Sequence, residues 1–263
     1  MKYSTYLLQL STALLLFGML AGCEKNKLRL TDFDLPTDKA YVRFAFFSPG
    51  SPSVMIKIND IKINGSNTAG SGGAFPAILN VPDYAAVPPN GIMRLSLPNI
   101  GTNNDSVLVF TGNIGLQQTK FYSVTLADTG VDRTLFSVED VLPPVQDSGF
   151  FNIRIINAMA KSPAISLIRV DSASPTVFTR DTIVRNLAFK GTSNFIKVPI
   201  SGVNANVRFR IFNTAGINLA QITTPSASGN QSVNRRSVTI YASGFSNGTS
   251  TLAPALSSPF YNK

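Results

Sequence analysis

The amino-acid sequence predicts an all-β protein, with two tandem antiparallel β-sandwich domains behind an N-terminal signal peptide. After residue 40 the apolar stretches are short, rich in β-branched and aromatic residues, and bounded by Gly, Pro, Asn or Ser. Outside the signal, no stretch of 11 or more residues keeps the 3.6-residue period of a helix. Strand-like segments recur about every ten residues, which is typical of sandwiches and barrels.

Strands follow one another in order through the first half of the chain. The segment 42–47 is rich in aromatic residues, and 54–58 alternates apolar and polar residues. Asn59-Asp60 offers a turn before 61–63, and Pro89-Asn90-Gly91 offers one before 92–97. Further strands are predicted at 107–110, 121–126 and 134–138.

An internal repeat sets the number of domains. Residues 42–56 correspond without a gap to 153–167, at an offset of 111. Farther along, 93–97 corresponds to 207–211 and 123–126 to 237–240, both at an offset of 114. A difference of three residues is what one change in loop length produces. The sequence therefore predicts one sandwich at residues 39–146 and a second at 147–263, with a short linker near Pro143-Pro144.

The turns that follow the first strand of each copy carry a family resemblance. A strand with Val42-Arg43 leads into Ser48-Pro49 and Ser51-Pro52 in the first copy, and one with Ile153-Arg154 leads into Ser162-Pro163 in the second. This pattern resembles the family catalogued as domain of unknown function 4397, in which an aspartate follows the next valine. Met55 and Ser166 stand at that position, so any role of the acid is lost. The resemblance implies immunoglobulin-like sandwiches in a bacterial envelope protein and supplies no known activity.

The N-terminus has the pattern of a lipoprotein signal. Lys2 and an apolar run from residue 7 to 20 lead into Leu20-Ala21-Gly22-Cys23, which resembles a bacterial lipobox. The apolar core is shorter than the roughly 20 residues of a transmembrane helix. We therefore expect cleavage of residues 1–22, lipidation of Cys23, a tether at 23–38 and an outer-membrane location in a Gram-negative bacterium. The protein would face either the periplasm or the cell surface.

The composition argues against most catalytic chemistries. The chain has no histidine, and its single cysteine is Cys23, so His- or Cys-based nucleophile systems and zinc sites are excluded from the mature protein. We predict no cofactor, no metal and a non-catalytic binding, adhesive or structural module. The alternative is a hydrolytic, carbohydrate-active enzyme that uses aspartates. A calcium loop around Asp128 and Asp132, with Glu139-Asp140 nearby, is weighed against a plain turn.

Two sets of side chains admit both a structural and a binding interpretation. Four strand arginines are expected to face solvent, because alternation exposes every second side chain: Arg43, Arg94, Arg154 and Arg208. Four tyrosines would form either a sugar-stacking platform or ordinary core and sheet-face positions: Tyr84, Tyr122, Tyr241 and Tyr261.

The positive charge belongs to the second domain. Residues 147–263 contain twelve basic and three acidic residues, for a net charge of +9, whereas 39–146 contain seven of each. Such asymmetry favours polyanionic partners, here anionic lipid head groups, lipopolysaccharide or an acidic polysaccharide. No nucleic-acid motif is present. The candidate contacts are two pairs, Arg208 with Arg210 and Arg235 with Arg236, and the alternative is that they are ordinary solvated charges.

Overall fold

The computed structural model describes residues 35–48, 54–63, 77–79, 84–98, 105–144, 147–172, 178–200, 208–223, 235–248, 253–256 and 260–262. The chain divides into two compact units, Met1–Thr37 and Asp38–Lys263, and the described strands belong to the second unit. The signal, Cys23 and most of the predicted tether lie outside the described residues. None of the described residues belongs to a helix long and apolar enough to cross a bilayer.

The first sandwich consists of two sheets. Its strands are β1 (Ala40–Phe47), β2 (Met55–Ile58), β3 (Ile61–Lys62), β4 (Ala77–Leu79), β5 (Ala85–Val87), β6 (Asn90–Pro98), β7 (Asp105–Gly115), β8 (Phe121–Ala127) and β9 (Thr134–Glu139). The β1 sheet has the order β4-β1-β8-β9, with β5 also paired to β1, and the β2 sheet has the order β3-β2-β6-β7. The β1–β8 pairing is parallel and the others are antiparallel.

The second sandwich repeats this arrangement. Its strands are β10 (Phe150–Asn157), β11 (Ile165–Ser172), β12 (Phe178–Leu187), β13 (Ile196–Pro199), β14 (Arg208–Asn213), β15 (Asn218–Thr223), β16 (Ser237–Ser243), β17 (Ala255–Leu256) and β18 (Phe260–Asn262). The β10 sheet has the order β13-β10-β16-β17, with β18 also paired to β16, and the β11 sheet has the order β12-β11-β14-β15. The central β10–β16 pair is again parallel.

The predicted fold class is confirmed. The structure is nearly all-β, with four sheets in two pairs that form two tandem sandwiches. In the described part of the chain, the helical structure is one 3-10 turn at Gly130–Asp132. The strand β9 ends at Glu139 and β10 begins at Phe150, and the proposed boundary between residues 146 and 147 lies in that interval.

Strand register refines the correspondence between the two copies. Ile56 pairs with Leu95 in the first sandwich, and Leu167, which corresponds to Ile56, pairs with Ile211 in the second. Leu95 therefore corresponds to Ile211, at an offset of 116, whereas the sequence alignment placed it at 114. A shift of two residues leaves every side chain on the same face of its strand, so the pattern of apolar residues does not distinguish the two alignments.

Each sandwich encloses its own apolar core, and a third apolar cluster lies between them. Strand β1 is buried over all eight residues, because alternate side chains enter the first core and the cluster between the sandwiches. That third cluster joins side chains of the β1 sheet to side chains of the β10 sheet: Ala45, Phe47 and Ala127 with Ile156, Ala158 and Tyr241. The two repeats thus pack through corresponding faces, since Ala45 and Phe47 occupy the repeat positions of Ile156 and Ala158.

Candidate functional site

A buried ion pair joins the two sandwiches. Arg154 lies on β10 of the second sandwich, and Asp140 directly follows β9 of the first. Their side chains are 3% and 0% exposed, and the guanidinium Nη2 donates a hydrogen bond to Asp140 Oδ1. An unpaired buried charge would cost several kcal/mol, so each of these side chains depends on the other sandwich for its partner.

Two more side chains of the first sandwich complete the surroundings of the Asp140 carboxylate. The Ser123 hydroxyl on β8 lies 3.0 and 2.9 Å from Oδ1 and Oδ2 and donates to them. The Tyr84 phenol, just before β5, donates to Oδ2 at 2.7 Å. The carboxylate therefore has a donor for each oxygen, which is the condition under which a buried charge is tolerated.

The remaining contacts of Arg154 fix the plane of its guanidinium. Its Nε donates to Thr239 Oγ1 at 2.9 Å, and Nη1 donates to the carbonyl oxygen of Glu139 at 3.4 Å. The guanidinium carbon lies 4.8 Å from the centroid of the Phe195 ring. Arg154 therefore contacts three separate elements and orients them relative to one another.

The repeat places a second arginine at the corresponding position. Arg43 on β1 pairs with Ser123 across the parallel β1–β8 ladder, as Arg154 pairs with Thr239 across β10–β16. Arg43 is 0% exposed, and its guanidinium carbon lies 4.3 Å from the centroid of the Tyr84 ring. Both repeats therefore direct one arginine into the contact between the sandwiches.

The prediction that Arg43 and Arg154 face solvent is wrong, although the underlying alternation is correct. Both side chains point away from the core of their own sandwich, but that face is covered by the other sandwich. Arg94, on β6 of the opposite sheet, has a 45% exposed side chain, as expected. Arg208 points away from the second core and is half-buried.

The environment of two tyrosines at this contact favours their neutral forms. Burial, followed by the charge of Asp140, raises the pKa of the Tyr84 phenol well above its usual range. Burial raises the pKa of the Tyr241 phenol to about 12, against the opposing influence of the Ser123 and Thr125 hydroxyls. A neutral phenol can donate a hydrogen bond, which is the role that Tyr84 has toward Asp140.

A cleft opens beside the ion pair. Its volume is about 340 Å³. One wall comes from the end of β9 and the following segment, including Val138, Leu142 and Pro143, and the other comes from residues 192–195, with Arg154 also in the lining. Ligand sites favour such positions between domains, but here Arg154 is already bonded to Asp140.

The aspartates considered for calcium or catalysis are bonded to basic side chains. The Lys161 ammonium lies 2.6 Å from Asp132 Oδ2 and 3.6 Å from Asp128 Oδ1, so a lysine occupies the place of a cation. Within the described ranges, no group of three His, Cys, Asp or Glu side chains could hold a metal. A basic group lies within 3.6 Å of each of six described aspartates: Asp38, Asp60, Asp128, Asp132, Asp140 and Asp147.

The four candidate arginines belong to two different sheets. Arg208 and Arg210 lie on β14 of the β11 sheet and share the face directed away from the core. Arg235 and Arg236 are exposed and precede β16 of the β10 sheet. The structure therefore puts Arg208 and Arg210 on one sheet face but does not put all four arginines there.

The three tyrosines whose side chains are described, Tyr84, Tyr122 and Tyr241, do not form an exposed stacking platform. Tyr122 and Tyr241 are 7% and 0% exposed, which confirms the core interpretation for these two. Tyr84 is half-buried against Asp140 and Arg43. Tyr261 lies in β18, where the side chains are outside the description.

Sequence reasoning missed the network around Asp140, although a signal for it was present. In β1 both alternating sets of residues are apolar or aromatic apart from Arg43, and in β10 the outward set contains the apolar Ile156 beside the polar Asn152 and Arg154. A strand with two apolar faces is typical of burial on both sides. That pattern, complete in β1 and partial in β10, predicts a covered second face.

No protein-family model matches the chain, and no curated protein matches its sequence. The resemblance to domain of unknown function 4397 stays a prediction.

Proposed function

We propose that this chain is a non-catalytic, lipid-anchored envelope protein whose two joined sandwiches present a basic binding surface to an acidic polysaccharide or lipopolysaccharide. The observation that carries the proposal is the buried network between the sandwiches. Arg154, Asp140, Ser123 and Tyr84 are bonded to one another, so their chemistry is used to hold one sandwich against the other. Such a rigid contact between the sandwiches suits a module that presents a binding surface and does not need to change shape.

The charge distribution supports a polyanionic ligand. Residues 147–263 have a net charge of +9, whereas the net charge of residues 39–146 is zero. The Arg154–Asp140 pair uses one of the twelve basic residues of 147–263 and Arg169 is buried, so the other ten basic residues supply the remaining positive charge of the second sandwich. Electrostatic attraction of this kind raises the rate of encounter with polyanions and weakens as salt screens it.

The membrane attachment rests on the N-terminal pattern that ends at Cys23. The expected anchor would place the two sandwiches beside the envelope components that carry negative charge. In this proposal the outer membrane is the site of attachment, because Glu24 and not aspartate follows Cys23.

Lipid attachment and ligand binding are tested in the full chain. Cys23→Ser should abolish metabolic labelling with a radioactive fatty acid and release the protein from the membrane fraction, whereas Ser48→Ala should do neither. Continued labelling of the Cys23→Ser variant would refute the anchor.

The same preparation tests the choice between a binding module and an enzyme. The wild-type protein should bind polygalacturonate or purified lipopolysaccharide without releasing a product. Hydrolysis of a polysaccharide that is lost in a single aspartate variant would establish the enzyme alternative and overturn the proposal.

A further inference from the structure

The outer face of the β11 sheet carries three arginines in two neighbouring rows. In the first row, Val170 of β11 pairs with Arg180 of β12 on one side and with Arg208 of β14 on the other. In the second, Arg210 of β14 pairs with Gln221 of β15. Directly paired residues of an antiparallel sheet, and residues two apart on a strand, project from the same face. Arg180, Arg208 and Arg210 therefore share one face, opposite to the face that Phe209 and Ile211 bury in the core.

The spacing of these arginines follows from sheet geometry. Arg180 and Arg208 are two strands apart, which corresponds to about 10 Å between their backbones. Arg208 and Arg210 are two residues apart on one strand, which corresponds to about 7 Å. The three side chains therefore leave the sheet at the corners of a triangle.

The neighbours of the three arginines are neutral. The two rows consist of Arg180, Val170, Arg208, Thr223, Thr182, Ile168, Arg210 and Gln221, and none of these is acidic. Val170, which lies between Arg180 and Arg208 in the first row, is 2% exposed. Arg210 Nε donates to Gln221 Oε1 at 3.2 Å, which orients the guanidinium without neutralising it.

The corresponding face of the first sandwich provides the comparison. There the row reads Lys62, Lys57, Arg94 and Thr111. Arg94 corresponds to Arg210 in strand register, but its Nη1 is paired with Asp60 Oδ1 at 2.8 Å. The corresponding row of the second sandwich reads Thr182, Ile168, Arg210 and Gln221, so Arg94 has an acidic partner whereas the row of Arg210 contains no acid.

We propose that the outer face of the β11 sheet binds a linear carboxylated polysaccharide through Arg180, Arg208 and Arg210. The planar guanidinium matches a carboxylate through two parallel hydrogen bonds, which a lysine does not reproduce. Thr182 lies two residues from Arg180 on β12, and Gln221 lies opposite Arg210 on β15, where a hydroxyl and an amide can bond to sugar hydroxyl groups. This inference rests on the proposed function and names its site, including Arg180 and excluding Arg235 and Arg236.

The test measures binding of polygalacturonate to the full chain by calorimetry across a series of salt concentrations. The triple variant Arg180→Gln, Arg208→Gln, Arg210→Gln should bind about tenfold or more weakly and show a shallower dependence on salt. The matched control, Lys57→Gln, Lys62→Gln, Arg94→Gln, removes the same formal charge from the corresponding face of the other sandwich. It should change the affinity by less than about threefold.

Each of the other results overturns a different statement. Equal weakening by the two triple variants would show a general charge effect and refute the site. Weakening by Arg235→Gln, Arg236→Gln in place of the test variant would move the site to the β10 sheet. Binding to vesicles of phosphatidylglycerol but not to polygalacturonate would identify a membrane surface and refute the polysaccharide. No binding of the wild type to polygalacturonate, lipopolysaccharide or vesicles would reject the proposed function itself. Unchanged circular dichroism of the variants shows that each comparison concerns folded protein.

Discussion

The two outward faces of each sandwich place the same residue type in opposite environments. Arg43 and Arg154 point away from their own cores into the contact between the sandwiches and are almost inaccessible. Arg94 and Arg210 also point away from their own cores, but on the other sheet, where they are partly or largely exposed. All four alternate with core residues along their strands, so the local pattern is the same in both regions.

This difference shows that alternation identifies the side of a strand and not its environment. On the covered face, an arginine needs a carboxylate and several hydrogen bonds, and the structure supplies Asp140, Ser123 and Thr239 to Arg154. On the open face, water solvates the charge and the arginine remains available to a ligand. In each repeat, outward positions on the covered sheet hold the two sandwiches together, and outward positions on the open sheet remain accessible to a ligand.

The largest expected effect comes from breaking the covered ion pair. Arg154→Met should lower the free energy of unfolding by about 3–5 kcal/mol, because it leaves the Asp140 carboxylate buried without its charged partner. Urea denaturation gives the value. Arg94→Met, on the open face, is the matched control and should cost less than about 1 kcal/mol.

A double variant sharpens this prediction. Arg154→Met combined with Asp140→Leu removes both charges and should be more stable than Arg154→Met alone, since no unpaired charge remains. If Arg154→Met and Arg94→Met lowered the free energy of unfolding equally, the covered and open faces would not place arginine in energetically different environments.

The next effect concerns the hydroxyl that supports Asp140. Ser123→Ala should lower the free energy of unfolding by about 1.5–3 kcal/mol, the range for a hydrogen bond to a buried charge. Ser137→Ala, at an exposed position on the neighbouring strand, should be close to neutral. A neutral result for Ser123→Ala would mean that Tyr84 and Arg154 suffice to hold the carboxylate.

Alkaline pH should destabilise the covered face through Tyr241. Its folded pKa of about 12 lies above the ordinary value of 10.0, so the proton is bound more tightly in the folded state. Its contribution is fully present below pH 10 and is lost as the pH rises toward 12. Between these values wild type should lose about 1.4 kcal/mol per pH unit more than Tyr241→Phe. Parallel pH profiles of the two proteins, measured by denaturation at several pH values, would contradict this.

The smallest effect is expected for the exposed ion pair between the sandwiches. Lys161 joins Asp132 and Asp128 of the first sandwich, but its side chain is 56% exposed. Lys161→Gln should therefore cost about 0–1 kcal/mol and the difference should disappear at high salt. A loss as large as that of Arg154→Met would show that exposure does not separate the two kinds of pair.

Much of the fold could be predicted from the sequence, because it depends on local pattern. The short β-branched segments predicted the strands, and the match between 42–56 and 153–167 predicted a second copy of the first sandwich. For the later strands, the sequence alignment of the two copies differs by two residues from the alignment that strand pairing gives. Leu95 is as similar in character to Phe209 as to Ile211. Apolar pattern alone cannot resolve a shift that preserves the face.

The candidate site depended on information that no single segment contains. Arg208 and Arg210 could be assigned to one face from their spacing on one strand. Arg180 could be assigned to the same face only from the pairing of β12, β11 and β14, which places Arg180 and Arg208 on either side of Val170.

The sequence by itself determined the strand-rich class, the duplication, the absence of histidine and the concentration of positive charge in the second sandwich. Tertiary structure alone decided which outward face is covered. Arg43 and Arg154 are buried because corresponding faces of the two repeats pack against each other, and Asp140 becomes the partner of Arg154 because the end of β9 lies beside β10. These contacts join residues of different sandwiches, and their energy comes from excluding water between two surfaces, which no local pattern of a strand records.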